Sequence, residues 1–272
     1  MSGEIAATVG ARSLTVAEVD RRLTALCRGP LAARLPADGS VESRQLRRWL
    51  VQLMATELLV EDEADAAELR PAERHGPDLA AAEALEVGSI TAAVLAGSPL
   101  ARALFHHVSG AIEATEEEVR GYFSRNRAAY RYEQTRRVEH FLFGDEDTAR
   151  AARAALGRGA HPPAGRRLAG LVHRGDLTGA LGDAVFAVGV GQVVGPLRSD
   201  VGWHVLRVDA VTPAGSAPYE SVKGEIAARL TAAARRRHFA RWLDERRTAR
   251  ARLRPGYEHP GDPRQPDNSH RH

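Results

Sequence analysis

Two strand-like segments, far apart in the chain, each carry a histidine at a position that points toward an interior. RRVEHFLF contains His140, and GWHVLRVD contains His204. Side chains alternate between the two faces of a strand, so His140 shares a face with Val138 and His204 shares a face with Leu206. The pattern predicts two buried imidazoles, which serve either as hydrogen-bonded core residues or as an acid–base pair.

The composition is that of a globular protein. The chain has 272 residues, of which 43% are hydrophobic, and this is enough for one large or two modest domains with a real core. The net charge is only +3, with arginines concentrated in the last predicted helix. Aromatic residues make up 5% of the chain, and no recognition motif or stacking platform for nucleic acid is present. We therefore expect no nucleic-acid partner; the arginines form a solvated face or contact an acidic partner or peptide.

The cysteine content and the first residues bear on the compartment. Cys27 is the only cysteine, so an intramolecular disulfide is impossible; we expect a small core or semi-exposed residue, with a reactive thiol as the alternative. The start, MSGEIAATVG, lacks the basic and apolar regions of a secretory signal. These features predict cytoplasmic residence and no membrane partner.

A set of motifs lies between the two histidine strands. HRGDL runs from His173 to Leu177, and DAVFAVGVGQVVGPL runs from Asp183 to Leu197. This order of histidine strand, GDL, FA-x-x-x-G-x-V-x-GP and G-W-H strand resembles the parvulin-type (PpiC/SurA-like) family of peptidyl-prolyl cis/trans isomerases. The resemblance implies an α+β fold, in which a small antiparallel sheet is ringed by helices and the histidines are neighbours beneath a shallow, apolar proline-binding groove. It implies a peptide or unfolded-protein substrate, no metal and no cofactor.

Helix signals flank these motifs. Thr15 with Glu18 forms a predicted capping box, and Ser98 with Pro99 marks another helix start. An apolar stripe predicts a terminal helix from about Pro218 to Arg250.

The flanking segments resemble the SurA-type chaperones, in which terminal modules form a peptide-binding body around an inserted parvulin domain. The C-terminal helix is expected to pack on the N-terminal module, and the proline-rich tail is expected to be disordered. The expected parts are an N-terminal helical module (1–130), a parvulin-like domain (131–212), the C-terminal helix (213–253) and the tail (254–272). The oligomeric state stays open.

The resemblance implies roles for individual residues. His140 and His204 fill the catalytic positions of the histidine pair, and Ser199, in RSDVGWH, stands where the family has a hydroxyl. The family's cysteine or aspartate position falls near Leu168, where no polar group is available. The implied substrate-binding residues are Leu168, His173, Leu181, Phe186 and Val201.

The segment after GDL is short. Only TGA precedes LGDAVFA, whereas the family has a longer connection that carries part of the proline pocket. The shortening puts Leu181 at the floor position that the family fills with phenylalanine, and Phe186 at a position that packs in the core. His173 either adds a third imidazole at the pocket edge or faces water. Asp176 is expected to accept backbone N–H bonds in a turn, and Trp203 to pack away from the histidine that follows it.

Three functions stay open. The chain binds a proline-containing or extended peptide, either isomerising or holding it; it is a catalytically inactive chaperone or assembly partner; or its histidine pair performs another reaction, such as proton transfer during tailoring or ring closure of a biosynthetic precursor peptide. Adjacent imidazoles disfavour double protonation, so at least one of the pair is expected to titrate below about 6.5.

Overall fold

The structure is a computed structural model. It describes residues 3–30, 32–71, 79–162, 165–177 and 179–258, without the side chains of Leu168 and Ala169. From residue 259 onward, the tail that was expected to be disordered lies outside the described residues. Within the described part, no helix combines the length and the apolar character needed to cross a membrane.

The described chain combines helices with antiparallel strands, and residues 16–125 are mainly helical. The helices are, in chain order, α1 (Val16–Cys27), α2 (Val41–Ala66), α3 (Ala81–Val87), α4 (Ser89–Gly97), α5 (Pro99–Ser109), α6 (Glu116–Arg125), α7 (Glu146–Gly157), α8 (Gly179–Ala187) and α9 (Tyr219–Arg250). The strands are β1 (Ile5–Val9), β2 (Arg12–Thr15), β3 (Arg131–Tyr132), β4 (Thr135–Phe143), β5 (Arg166–His173), β6 (Val193–Ser199), β7 (Gly202–Thr212), β8 (Gly215–Ser216) and β9 (Ala251–Leu253). The α+β class predicted from the sequence is confirmed.

The chain divides into two compact units. The first contains Met1–Thr115 and Ala227–His272, and the second contains Glu116–Ile226. The boundary falls inside α9, so this helix supplies residues to both units.

The first unit packs helices on a three-stranded sheet with the order β2-β1-β9. Both ladders are antiparallel. Apolar side chains from these strands and from α1, α2, α4, α5 and α9 form its core. The most deeply buried of them include Leu50, Leu59, Leu95, Leu104, Phe239 and Leu243. The terminal helix therefore shares one core with the N-terminal helices.

Two helices begin where the capping signals predict. The backbone N–H of Glu18 donates to Thr15 Oγ1 at 3.3 Å, and the N–H of Thr15 donates to the Glu18 carboxylate at 2.8 Å. The N–H of Ala101 donates to Ser98 Oγ at 3.1 Å, and Pro99 is the first residue of α5. Both predicted starts are confirmed.

Several arginines of α9 form ion pairs within the first unit. Arg236 is buried and lies 2.8 Å from Glu83. Arg250 lies 2.6 Å from Glu63 and 3.0 Å from Asp62. Part of the basic character of this helix is therefore neutralised internally rather than offered to an acidic partner.

The second unit is built on a four-stranded antiparallel sheet with the order β5-β4-β7-β6. α7 covers one face, where Phe141 packs with Leu156. α8 covers the other face, where Val138 and Leu206 pack with Val185. Alternating side chains along β4 thus contribute to two small cores, and the two histidines belong to the α8 face.

Helix α6 lies in the second unit, whereas the sequence analysis extended the N-terminal module to residue 130. Val119 and Phe123 of this helix are buried. The ring centroid of Phe123 lies 5.3 Å from that of Tyr130 and 5.5 Å from that of Tyr219. An amphipathic stripe predicts that a helix packs on something, but it does not identify the core that the helix joins.

The beginning of the expected disordered tail, residues 254–258, is attached to the first unit. The backbone N–H of Arg254 donates to the carbonyl oxygen of Ala6 at 2.9 Å. Nε of Arg48 donates to the carbonyl oxygen of Gly256 at 2.8 Å. These partners are distant in sequence, so the proline-rich composition of the segment does not reveal them.

Candidate functional site

The two histidines lie on the central strands of the second unit's sheet. The register pairs His140 of β4 with Leu206, and His204 of β7 with Leu142, so the imidazoles are diagonal neighbours. His140 Nε2 lies 2.7 Å from His204 Nδ1, and the ring centroids are 5.0 Å apart. The residues are 8% and 5% exposed. The structure therefore brings together the two imidazoles that were predicted to face an interior.

Ser199 extends the pair to a chain of three groups. Its Oγ lies 2.6 Å from His204 Nε2, and the backbone N–H of Val201 donates to the same oxygen at 3.2 Å. Ser199 ends β6 and Val201 lies in the turn to β7, so a tight turn holds the hydroxyl beside the ring. We call this the Ser199–His204–His140 chain; His204 contacts both of the other groups.

The chain supports two proton arrangements. In one, the Ser199 hydroxyl donates to His204 Nε2, and His204 Nδ1–H donates to His140 Nε2. In the other, His140 Nε2–H donates to His204 Nδ1, and His204 Nε2–H donates to Ser199 Oγ. Both are satisfied, because a neutral imidazole has one donor and one acceptor and a hydroxyl has both. The half-buried hydroxyl can therefore donate to a ligand or accept from it.

Both rings are held neutral. Burial lowers the pKa of His140 to about 4, and the neighbouring His204 adds to this effect. Burial also lowers the pKa of His204. An imidazolium in this apolar setting is poorly solvated, and a second positive charge beside it is unfavourable. The direction expected from the sequence for at least one ring thus applies to both.

The depressed His140 pKa predicts a loss of stability in mildly acidic solution. The unfolded chain protonates this residue as the pH falls through about 6.5, whereas the folded protein does so near its pKa of about 4. Between these values the unfolded state binds more protons, so the free energy of unfolding decreases as the pH falls, by about 3 kcal/mol in total. Urea unfolding of the unmodified protein and of His140→Gln across this range measures the contribution.

The exposed His173 provides the control for this measurement. His140→Gln should have a shallower pH slope than the unmodified protein, and His173→Gln makes the same substitution at an exposed position outside the pair of imidazoles. Identical slopes for all three proteins would contradict the prediction.

A glycine lets β6 approach His204 closely. Gly195 has a φ of +111°, and a Cβ there would lie 2.3 Å from the carbonyl oxygen of His204. The pairing of β6 with β7 is irregular at this point, between Val194 and Leu197. Glycine is required by both the backbone angle and the close contact. The irregularity sets the register that carries Ser199 to the imidazole.

The position expected to carry a polar group is occupied by Leu168. In the ladder between β4 and β5, Leu168 is paired directly with His140. Its side chain lies outside the described residues, so the structure fixes its backbone register alone. Because leucine has no donor or acceptor, this position adds no hydrogen bond to the histidines.

Phe186, which the resemblance implied for substrate binding at a position that packs in the core, lies in the core. Phe186 is 7% exposed and belongs to the core on the α8 face. Its ring centroid lies 5.2 Å from the guanidinium carbon of Arg136 and 5.1 Å from that of Arg174. The short α8 turns this ring onto the sheet, so it is not open to a ligand. Leu181, assigned to the pocket floor, is half-buried against the same core.

His173 does not join the histidine pair. It is paired with Thr135 at the end of β5, five residues from Leu168, which corresponds to about 16 Å along a strand. Its side chain is exposed. Its backbone N–H donates to Asp176 Oδ2 at 2.7 Å, which closes the turn as predicted for this aspartate.

Val201 and Trp203 lie on either side of Gly202, the first residue of β7. Val201 is 72% exposed and follows Ser199 closely in the chain, so it presents an apolar side chain next to the hydroxyl. Trp203 packs in the core on the α7 face. It therefore points away from His204, as predicted.

Arg136 is a buried residue that the sequence analysis did not single out. It lies on the α8 face of β4 and donates to the carbonyl oxygens of Phe186, at 2.7 Å, and Val188. The last carbonyls of a helix lack partners within the helix, so Arg136 fixes the end of α8 on the sheet. The sequence feature that could have identified Arg136 is its spacing of four residues from His140, which puts both residues on one face of the strand.

The described residues contain no group of three or more His, Cys, Asp or Glu side chains placed to hold a metal ion. Cys27, in the first unit, is free and exposed.

Family models match two parts of the chain. The model of the PPIC-type PPIase domain matches residues 114–224, which include the whole Ser199–His204–His140 chain. A family of unknown function (DUF7158) matches residues 5–42. No curated protein matches the chain. The resemblance to the PpiC-type family is confirmed by the first match.

Solved structures that match the chain include bacterial chaperones and isomerases. One comes from work on PEB4 and the periplasmic protein Cj1289, SurA-like chaperones of Campylobacter jejuni; it is 17% identical, covers 90% of this chain and 96% of that chain, and has a TM-score of 0.41. The peptidylprolyl isomerase PrsA from Bacillus cereus is 18% identical, with coverages of 85% and 74% and a TM-score of 0.28. PrsA from Bacillus subtilis is 14% identical, with coverages of 90% and 93% and a TM-score of 0.25.

Proposed function

We propose that residues 114–224 form a domain of the PPIC-type peptidyl-prolyl isomerase family. On this premise, the protein binds an extended, proline-containing or unfolded peptide beside the Ser199–His204–His140 chain. The observation that carries the proposal is the hydrogen-bonded chain itself, which ends in a half-buried hydroxyl 2.6 Å from a neutral imidazole. A peptide-binding protein with weakened isomerase activity is the function that these residues support best.

Prolyl isomerisation requires a twisted amide and no covalent step. The barrier of about 18–20 kcal/mol falls when the amide loses its planarity and resonance. Hydrogen bonds that are stronger to the twisted amide than to the planar one lower the barrier further. In the proposed site Ser199 contacts the substrate, and the two imidazoles set whether its hydroxyl donates or accepts.

Two features are expected to weaken such an isomerase. Leu168, opposite His140, replaces the cysteine or aspartate of the family. Helix α8 begins at Gly179, soon after the turn that Asp176 closes, so the longer pocket wall of the family is missing. We therefore expect the peptide to be held more than isomerised.

Isomerase activity on a proline-containing tetrapeptide is expected to be weak or absent in a protease-coupled or NMR exchange assay. Leu168→Asp should raise the rate, because it restores a polar group opposite His140. Leu171→Asp is the matched control: this residue lies on the same strand, but on the other face by the alternation of side chains, and it is 57% exposed. It should leave the rate unchanged.

Isomerase rates in the unmodified protein that are comparable to those of an ordinary parvulin would contradict the prediction that the short segment after GDL removes part of the proline pocket. Peptide binding without isomerisation, both in the unmodified chain and in Leu168→Asp, would instead favour a catalytically inactive chaperone or assembly partner.

A second candidate function is proton transfer on a peptide, as in tailoring or ring closure of a biosynthetic precursor. The observation that favours it is the pair of neutral, hydrogen-bonded imidazoles linked to a hydroxyl, which can accept and return a proton. If a candidate precursor is encoded next to this gene, its mass and cyclisation state after incubation with the protein would test the idea. A change that persists in His204→Gln would exclude the histidine pair as its cause.

We also propose cytoplasmic residence. The free, exposed thiol of Cys27 supports this proposal, because the cytoplasm keeps such thiols reduced. Fractionation of cells that make the protein at its natural level tests it, and recovery from an extracytoplasmic fraction would contradict it.

A further inference from the structure

Arg166 lies in the same row of the sheet as His204. In the ladders of the second unit, Arg166 of β5 is paired with Leu142 of β4, and Leu142 is paired with His204 of β7. Directly paired residues share a face, so Arg166 lies on the α8 face with the histidines. Two strand spacings separate Arg166 from His204, a distance of about 10 Å between backbones.

Arg166 and its neighbour Arg167 differ in their surroundings. Arg167 lies on the opposite face, 3.1 Å from the buried carboxylate of Glu139. Arg166 is exposed, and no described carboxylate lies within ion-pair distance of its guanidinium. Two adjacent arginines on one strand therefore play different roles: one is neutralised by the fold, and the other holds an uncompensated positive charge beside the site.

We propose that Arg166 gives the peptide site a preference for an acidic side chain within one or two residues of the bound proline. This inference rests on the proposed function and names the class of peptide that the site takes. The edge position of β5 leaves the Arg166 side chain accessible to a bound ligand.

The geometry matches the reach of such a peptide. In the proposed binding mode the peptide crosses the strands from Ser199 toward β5, and an extended chain advances about 3.3–3.6 Å per residue along that path. Leu142, which lies between Arg166 and His204 in the row, is half-buried, so no charged group of β4 lies in this row.

The test uses two peptides that are identical except for Glu or Gln immediately before the single proline. Dissociation constants are measured by NMR titration against the full chain, at low salt and at about 0.5 M salt, where charges are screened beyond a few ångströms. We expect the Glu peptide to bind about two- to fivefold more tightly at low salt, as for a solvent-exposed ion pair. Arg166→Gln should remove this preference and Arg166→Lys should keep it.

Arg167→Gln is the matched control, since it makes the same change of charge one residue away on the opposite face. It should keep the preference. Equal binding of the two peptides, or a preference that survives in Arg166→Gln or is lost equally in Arg167→Gln, would overturn the role of Arg166 and leave the proposed function standing. Failure of both peptides to bind the unmodified chain would overturn the proposed function and this inference with it.

Discussion

A fragment that lacks residues 1–110 is expected to aggregate. Phe239 and Leu243 of α9 are 0% and 1% exposed, and they are buried in a core that the N-terminal strands and helices supply. The fragment would expose both side chains, with a loss of about 1.5–3 kcal/mol of burial energy for each. Strand β9 would also lose its partner β1. Size-exclusion chromatography and thermal unfolding of residues 111–272 measure the effect.

The matched control for this truncation is the fragment Glu116–Ile226, which contains the second unit alone. Its four-stranded sheet and both of its small cores are made only of residues within that range. It should therefore be monomeric and melt cooperatively. A soluble, monomeric 111–272 fragment would argue against the shared core.

Replacing His204 by glutamine is expected to abolish peptide binding and any activity, while lowering the free energy of unfolding by only about 1–3 kcal/mol. His204 contacts both Ser199 and His140, at 2.6 and 2.7 Å. The loss of the imidazole therefore breaks the Ser199–His204–His140 chain of hydrogen bonds in the middle, and the Ser199 hydroxyl loses its imidazole partner. His140→Gln should have the same functional effect, because the remaining imidazole loses the partner that sets its tautomer. NMR titration with a proline-containing peptide and thermal melts of the variants provide the two readouts.

His173→Gln serves as the control for these substitutions. It removes an exposed imidazole of the same unit that lies outside the chain of hydrogen bonds, so binding and stability should be unchanged. If His140→Gln and His204→Gln both keep full activity but melt far lower, the two histidines are core residues and the site lies elsewhere.

Local signals in the sequence predicted part of the fold. The starts of α1 and α5 follow from Thr15 with Glu18 and from Ser98 with Pro99, because capping depends on neighbours within a few residues. Strand β9 could not be predicted in this way. It is three residues long, follows an arginine-rich helix and exists because Leu253 pairs with Ala7. Such a pairing across the whole chain leaves no pattern in the local sequence.

The site was predictable to a similar extent. The two-residue period of a strand placed His140 and His204 on inward faces, and the motif order brought Ser199 to them. The orientation of α8 was not predictable, since GALGDAVFA is largely apolar around the helix and does not show which side faces the sheet. The local sequence therefore does not by itself show that Phe186 packs in the core. The pairing of His173 with Thr135 likewise depends on strand register, which the sequence does not state.

The pairing of β1 with β9 also affects the order in which the protein folds during synthesis. At about 5–20 residues per second, the roughly 240 residues between these strands take on the order of 12–50 s to translate. The second unit is contiguous, Glu116–Ile226, and can fold as soon as it leaves the ribosome. The part of the N-terminal core that Phe239 and Leu243 cover stays exposed until α9 and β9 are made. On the proposed function, the nascent chain therefore depends for a time on the kind of protection that the finished protein gives to other chains.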